Sequence, residues 1–95
     1  MQAVITAFEQ FAGKHGQFYN EFYIGIANDP VNRLTSGHGI DSSVPHIYWN
    51  QPFHTNIVRA IEKYFLGKGA KGGGGGGDNE TCYVYMYKIT PRTRE

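Results

Sequence analysis

The segment Phe22–Leu34, with the sequence FYIGIANDPVNRL, contains the clearest structural pattern in this 95-residue chain. Its first half is rich in aromatic and β-branched residues, which favour a strand. Asp29 then precedes Pro30, which predicts a turn into a helix because Asp29 can cap the first turn and proline needs no N–H partner at the first helical position. We therefore expect a strand, a tight turn and a short helix that ends near Gly37 and Gly39.

The rest of the chain contains helical and strand patterns on both sides of this segment. Apolar spacing predicts helices over residues 2–12 and 55–66, the second capped by Thr55, and β-forming residues predict strands over 18–27 and 46–49. Residues 81–90 alternate strictly, with Tyr83, Tyr85 and Tyr87 on one face, and predict a further strand. The sequence thus predicts the α+β class, with a small antiparallel β-sheet flanked by helices.

The length of 95 residues suits a single domain, residues 1–95, because a chain this short has no room for a second core. Residues 67–79 contain six consecutive glycines and predict a flexible connector, because glycine loses the most entropy on ordering. A run of N–H groups that wraps an anion is the alternative. The run of six glycines itself lacks the lysine and serine of a phosphate-binding loop.

Composition limits the classes of function and the compartment. A formal net charge of +1 gives no general electrostatic attraction to nucleic acid, so any phosphate contacts must be few and local. The single cysteine, Cys82, cannot form an internal disulfide, and no apolar run is long enough to span a membrane. We expect a cytoplasmic protein, of a cell or of a virus-infected host, without a membrane partner.

Four side chains supply the groups that phosphodiester cleavage needs. The reaction needs a base for water, a cation for the developing charge and usually a metal held by a carboxylate. Tyr23, Arg33, His38 and Glu62 provide these types. The strand–turn–helix order allows Tyr23 and Arg33 to face one cleft.

The segment quoted above is similar to the second strand, turn and first helix of the GIY-YIG nuclease family, including the distance from the glycine to the arginine. The resemblance implies a divalent-metal-dependent nuclease. Tyr23 would take the position of the second tyrosine, and Gly25 would allow tight packing. Arg33 would bind the scissile phosphate, His38 would assist near the nucleophile or leaving group, and Glu62 would hold Mg²⁺ or Mn²⁺.

The chain departs from the family in its first strand, which normally precedes YIG through a hairpin. Only three residues separate Tyr19 from Tyr23, too few for two strands and a turn. We predict that the carboxy-terminal strand replaces the missing one, as in a circularly permuted domain. Tyr83 or Tyr85 would then stand for the first tyrosine and act as the general base.

The histidine is also displaced. Many family members carry it one helical turn after the arginine, at the position of Gly37, whereas His38 lies one residue further along. Either His38 curls back from just beyond the helix end, or His46 replaces it.

The sequence therefore predicts a metal-dependent endonuclease that hydrolyses DNA with a tyrosine-activated water. The alternative is a catalytically inactive GIY-YIG-fold module that binds nucleic acid or protein. Arg59, Lys88 and Arg92 are the candidate phosphate contacts, although each is equally consistent with a solvated surface charge. Specificity would be low, or would come from a partner protein or a homo-oligomer.

Overall fold

The computed structural model describes residues 2–72 and 81–94. The long helices are α1 (Gln2–His15) and α3 (Thr55–Gly67), and the short helix α2 (Pro30–Asn32) continues as a π-helical turn over Arg33–Gly37. The strands are β1 (Phe22–Ala27), β2 (His46–Tyr48), β3 (Phe53–His54) and β4 (Thr81–Lys88). The predicted α+β class, with helices around a small antiparallel sheet, is confirmed.

The carboxy-terminal strand β4 lies at the centre of the sheet. It pairs antiparallel with β1 on one side and with β2 on the other, while its first residues pair with β3. The strand that follows everything else in the chain thus occupies the place beside the YIG strand, where a replacement for the missing first strand was predicted. β4 can do so because antiparallel pairing depends on register and not on chain order.

The other edge of β1 contacts the start of the glycine-rich segment. The N–H of Ile24 donates to the carbonyl of Lys71 at 2.8 Å, and the N–H of Lys71 donates to the carbonyl of Phe22 at 2.9 Å. The part of the predicted connector before residue 73 therefore makes defined backbone contacts. Its remaining residues, 73–79, lie outside the described residues.

The two faces of the sheet have separate cores. One face carries the aliphatic residues of β1 and β4 and is covered by α1 and α3, with Phe8, Val58, Ile61 and Phe65 fully buried. The opposite face carries Tyr23, Ala27, Tyr85 and Tyr87, which pack against Leu34, Ile40 and Val44. The period-two alternation of the strands separates aliphatic from tyrosine side chains in this way.

Two boundaries differ from the sequence-based prediction at the amino-terminal end. Helix α1 continues past Gly13 to His15, because one glycine costs only about 1 kcal/mol in a helix whose other residues pack on the core. β1 begins at Phe22 rather than Phe18, because the Glu21 carboxylate accepts the backbone N–H of Gln17 and of Phe18, both at 2.7 Å. These bonds accompany a 3₁₀ turn over Tyr19–Glu21, just before β1.

Helix α3 is capped one residue earlier than predicted. His54, and not the predicted Thr55, is the capping residue: its Nδ1 accepts the N–H of Asn56 at 3.2 Å. Val58, Ile61 and Phe65 of α3 pack on the sheet as their spacing predicts, whereas Ile57, on the same predicted stripe, is exposed. Within the described ranges, no helix combines the length and apolarity needed to cross a membrane.

Candidate functional site

Three tyrosines meet on the face of the sheet opposite α1 and α3. In the β1–β4 ladder Tyr23 lies directly opposite Tyr87, and Gly25 lies opposite Tyr85. The ring of Tyr23 stacks on Tyr87 at 5.2 Å between centroids and on Tyr85 at 6.4 Å. Because directly opposed residues point to the same face, pairing alone brings these rings together.

Gly25 provides the space that the ring of Tyr85 occupies. A Cβ atom at this position would lie 2.5 Å from Cζ of Tyr85 and 3.0 Å from Cε1. The tight packing predicted for Gly25 is therefore packing of the Tyr85 side chain against the bare backbone of β1.

The imidazole of His38 joins two of the tyrosines. Its Nε2 lies 2.7 Å from the hydroxyl of Tyr85, and its Nδ1 lies 3.0 Å from the hydroxyl of Tyr87. The Tyr23 ring is 4.8 Å from the imidazole between centroids, and His38 is only 4 % exposed. We call Tyr23, Tyr85, Tyr87 and His38 the tyrosine–histidine cluster.

A π-helical turn explains how His38 reaches this position in spite of its displaced spacing. The N–H of Arg33 bonds to the carbonyl of Asp29 at 3.0 Å, in the α-helical pattern. The N–H of His38 then bonds to the carbonyl of Arg33, also at 3.0 Å, across five residues instead of four. The wider turn absorbs the extra residue, so His38 returns above Arg33 just beyond the helix end, which is one of the two predicted arrangements.

Arg33 and Glu62 both lie close enough to Tyr85 to affect its hydroxyl. Burial is the main cause of the raised pKa of Tyr85; the charges of Tyr23 and Glu62 raise this pKa further, and the charge of Arg33 lowers it. Arg33 itself is exposed, so its guanidinium can meet a ligand from solvent. The charges of Tyr23, Arg33 and Glu62 therefore all act on the hydroxyl of Tyr85.

Glu62 is a buried acid without a hydrogen-bond partner among the described residues. Only 5 % of the residue is exposed, and burial raises the pKa of its carboxyl, with a smaller opposing effect from Arg59. The sequence left open whether this residue is a surface acid paired with Arg59 or Lys63. The structure places it at the edge of the core, and no salt bridge between described residues involves it.

The Glu62 carboxylate suits a divalent metal site that water and substrate complete. Within residues 2–72 and 81–94, no three His, Cys, Asp or Glu side chains converge as a ligand group. Mg²⁺ commonly keeps several waters and binds through one or two carboxylates plus substrate phosphates. A single carboxylate at Glu62 fits Mg²⁺ or Mn²⁺ held in that way, and does not fit a closed structural site.

Comparison with known proteins gave a negative result. Neither protein-family models, curated proteins nor solved structures matched this chain. The likeness to GIY-YIG nucleases therefore depends on the motif residues themselves.

Two of the sequence-based candidates lie apart from the tyrosine–histidine cluster. Tyr83 pairs with Ala27 at the far end of β1 and lines a surface groove of about 370 Å³ together with Asp29 and Tyr48. His46 lies on β2 with an exposed side chain, and its Nδ1 bonds to the carbonyl of Val44 at 2.8 Å. The sequence left two choices open: Tyr83 or Tyr85, and His38 or His46. The fold brings Tyr85 and His38 together.

The predicted phosphate contacts have mostly intramolecular partners. Lys88 forms an ion pair with Glu21 at 2.7 Å, and Arg92 lies 3.7 Å from Asp41. Arg59 is exposed on α3, and no ion pair with another described residue involves it. Arg33 and Arg59 are thus the candidate cations best placed for an external phosphate.

Sequence reasoning missed the roles of Tyr87 and Arg94. Tyr87 belongs to the alternating run of β4, but only the register of pairing shows that it lies opposite Tyr23. The carbonyl oxygen of Arg94 contacts Nδ1 of His38 and accepts the hydroxyl of Tyr87 at 3.1 Å. No sequence signal exists for a backbone carbonyl, because every residue has one.

Proposed function

We propose that this protein is a metal-dependent endonuclease of the GIY-YIG type that hydrolyses DNA phosphodiester bonds with a tyrosine-activated water. The observation that most supports this proposal is the 2.7 Å contact between the Tyr85 hydroxyl and Nε2 of His38. The charges of Arg33 and Glu62 also act on this hydroxyl. A base contacts this hydroxyl, and a cation and a carboxylate affect its pKa, so the chain offers the three groups that the reaction needs.

The proton path uses Tyr85 and His38 as a relay. As water attacks phosphorus, the Tyr85 oxygen accepts the water proton while the Tyr85 hydroxyl gives its own proton to Nε2 of His38. The relay avoids a free phenolate, which burial makes costly because it raises the pKa of Tyr85. His38 then carries the proton as an imidazolium ion. It later gives this proton up to the leaving oxygen.

Arg33 and Tyr23 act on the phosphate. The exposed guanidinium of Arg33 neutralises the charge that develops on the phosphate oxygens, and its planar fork suits bidentate binding. The Tyr23 hydroxyl forms no hydrogen bond with another described residue, so it can bond to a phosphate oxygen or to the attacking water.

Glu62 would hold the divalent cation. When bound, the cation supplies charge neutralisation at the phosphate and lowers the pKa of a bound water. The contribution of the chain is a desolvated carboxylate without an internal partner, which gains from binding a cation.

A cleavage assay tests the proposal. Purified protein is incubated with single- and double-stranded DNA and Mg²⁺ or Mn²⁺, beside Arg33→Ala and Glu62→Ala variants. Cleavage should require metal and fall by roughly 10²–10³-fold in each variant, the usual loss when one group that stabilises the transition state is removed. Lys63→Ala is the matched control, because Lys63 is the exposed neighbour of Glu62 on α3 and should cut normally. Cleavage that persists in both site variants indicates a contaminating nuclease and rejects the proposal.

A non-catalytic module that binds nucleic acid or protein is the second candidate. The burial of Tyr85 and Tyr87, at 2 % and 0 % exposure, favours it, because both hydroxyls lie largely away from solvent. DNA binding without metal-dependent cleavage in the same assay would support this candidate instead.

A further inference from the structure

We propose that the carboxy-terminal segment Pro91–Arg94 is a positioning element that sets the tautomer of His38, so that Nε2 carries the lone pair that accepts the proton of Tyr85. The role in catalysis rests on the proposed function; the tautomer itself does not. The decisive contact is between Nδ1 of His38 and the carbonyl oxygen of Arg94.

The segment is folded back by a short turn. The N–H of Thr93 bonds to the carbonyl of Thr90 at 3.1 Å, and the Thr93 hydroxyl both accepts the N–H of Thr90 at 3.0 Å and donates to its carbonyl at 2.9 Å. This turn reverses the chain after β4. It directs Arg94 toward the loop that carries His38.

Arg94 and Arg92 tie the segment to that loop. The Arg94 guanidinium donates to the carbonyl of Ser36 at 2.9 Å, and Arg92 donates to the Ser43 hydroxyl at 2.8 Å while lying close to Asp41. Side-chain contacts therefore reach the loop both before and after His38. The basic tail, which from sequence is a candidate phosphate contact, is attached to the site by these bonds.

Arg94 holds His38 at two points. The backbone N–H of Arg94 donates to the carbonyl of His38 at 2.8 Å, and the carbonyl of Arg94 accepts from the ring of the same histidine. The Tyr87 hydroxyl donates to this carbonyl as well, at 3.1 Å, which uses its second lone pair. The imidazole is thereby oriented by the chain that follows β4.

The chemistry of these partners assigns the ring protons. A carbonyl oxygen can only accept, and the Tyr87 hydroxyl, 3.0 Å from Nδ1, donates its proton to the same carbonyl, so Nδ1 of the neutral imidazole carries the hydrogen. Nε2 then has a lone pair, and the Tyr85 hydroxyl at 2.7 Å must donate to it. The opposite tautomer would place a lone pair against the Arg94 carbonyl and an N–H against Tyr85, and His38 could not accept the Tyr85 proton.

Nitrogen-15 NMR of histidine-labelled protein tests the assignment without any nuclease assay. At a pH where the imidazoles are neutral, His38 should show a protonated Nδ1 and a bare Nε2. Deleting residues 93–95 should convert His38 to a mixture of tautomers. Arg94→Ala keeps the carbonyl but loses the bond to Ser36, so it should disturb the tautomer of His38 less than the deletion does. His46 is the internal control, since its Nδ1 bonds to the carbonyl of Val44 and does not depend on the tail.

The activity readout separates this inference from the proposed function. The deletion should lower kcat by roughly 10–100-fold with little change in KM, as expected for a weakened proton acceptor. A wild-type protein with no cleavage rejects the nuclease, while the NMR result still decides the tautomer. A wild-type His38 protonated at Nε2, or a deletion that leaves its tautomer unchanged, overturns the inference. If the deletion unfolds the protein, which His46 would also report, Thr93→Val loosens the same turn and must shift the His38 tautomer.

Discussion

Gly25 and Tyr85 lie directly opposite each other in the β1–β4 ladder, and the tyrosine ring occupies the space that any side chain at residue 25 would need. The glycine of the YIG motif therefore controls the position of a hydroxyl contributed by the opposite end of the chain. The Tyr85 hydroxyl in turn contacts His38, so packing at Gly25 affects the whole tyrosine–histidine cluster.

Gly25→Ala should destabilise the protein by about 1–3 kcal/mol, the usual cost of overpacking. The added Cβ would lie 2.5 Å from Cζ of Tyr85, so the ring must shift and its contact with His38 is disturbed. Urea unfolding measures the loss. Gly13→Ala is the control: nothing lies within 4 Å of a Cβ there, and alanine should stabilise α1 by roughly 0.5–1 kcal/mol. A Gly25→Ala protein as stable as wild type would contradict the packing at this position.

Tyr85→Phe should remove part of the loss of stability at high pH. Burial raises the pKa of Tyr85 above the ordinary value of 10.0, so the folded protein keeps this proton when the unfolded chain has lost it. The contribution is therefore constant below about pH 10 and is lost as the pH rises further. Urea titrations from about pH 8 to about pH 11 should show a shallower decline for Tyr85→Phe than for wild type. Parallel curves would mean that Tyr85 is not desolvated.

Glu62→Gln should separate stability from activity. Burial raises the pKa of Glu62 above its ordinary value of 4.5, so stability is lost as the pH rises past that value. The neutral amide should therefore stabilise the metal-free protein by roughly 1 kcal/mol at neutral pH. Mg²⁺ should raise the Tm of wild type and leave that of the variant unchanged. Cleavage should be lost. Equal stabilisation of both proteins by Mg²⁺ would place the metal elsewhere.

Glu21→Gln should change the acid sensitivity of the fold. Hydrogen bonds from Lys88 and from the backbone of Phe18 and Gln17 lower the pKa of Glu21 from 4.5 to about 2. The lowered pKa means that these bonds stabilise the protein above pH 4.5 and that the contribution is lost as the pH falls toward 2. Urea titration at low salt should therefore show a steeper acid decline for wild type than for Glu21→Gln. The same slope in both proteins would show that Lys88 is free for other partners.

Much of the local structure could be predicted because its causes are local. Asp29 and Pro30 predict the start of α2, and the N–H of Asn32 does bond to the Asp29 carboxylate at 3.0 Å. The pairing of β4 with β1 was also predicted, from the resemblance to the family and from a connector long enough to bring the last strand to the edge of β1. The start of β1 could not, because Glu21 folds the preceding residues through bonds that compete with the ladder.

The position of His38 above Arg33 could not be decided from the sequence and is seen only in the three-dimensional structure. A sequence shows only that one residue too many separates the pair, and helical spacing alone would place His38 on a different face. The π-helical turn resolves this by a bond across five residues, from the N–H of His38 to the carbonyl of Arg33. Such turns carry no strong residue preference that the chain could reveal in advance.

Propensity, capping and spacing act within a few residues, so the sequence alone predicts that Tyr23 and Gly25 lie in a strand and that Arg33 lies in the helix after the following turn. It also determined that the tyrosines of β4 share one face. Only the tertiary structure decided that Tyr87 opposes Tyr23 and Tyr85 opposes Gly25, since a period of two is the same for every register. Likewise, only folding brings the Arg94 carbonyl to His38, because the contact joins groups distant in the chain and one of them is present in every residue.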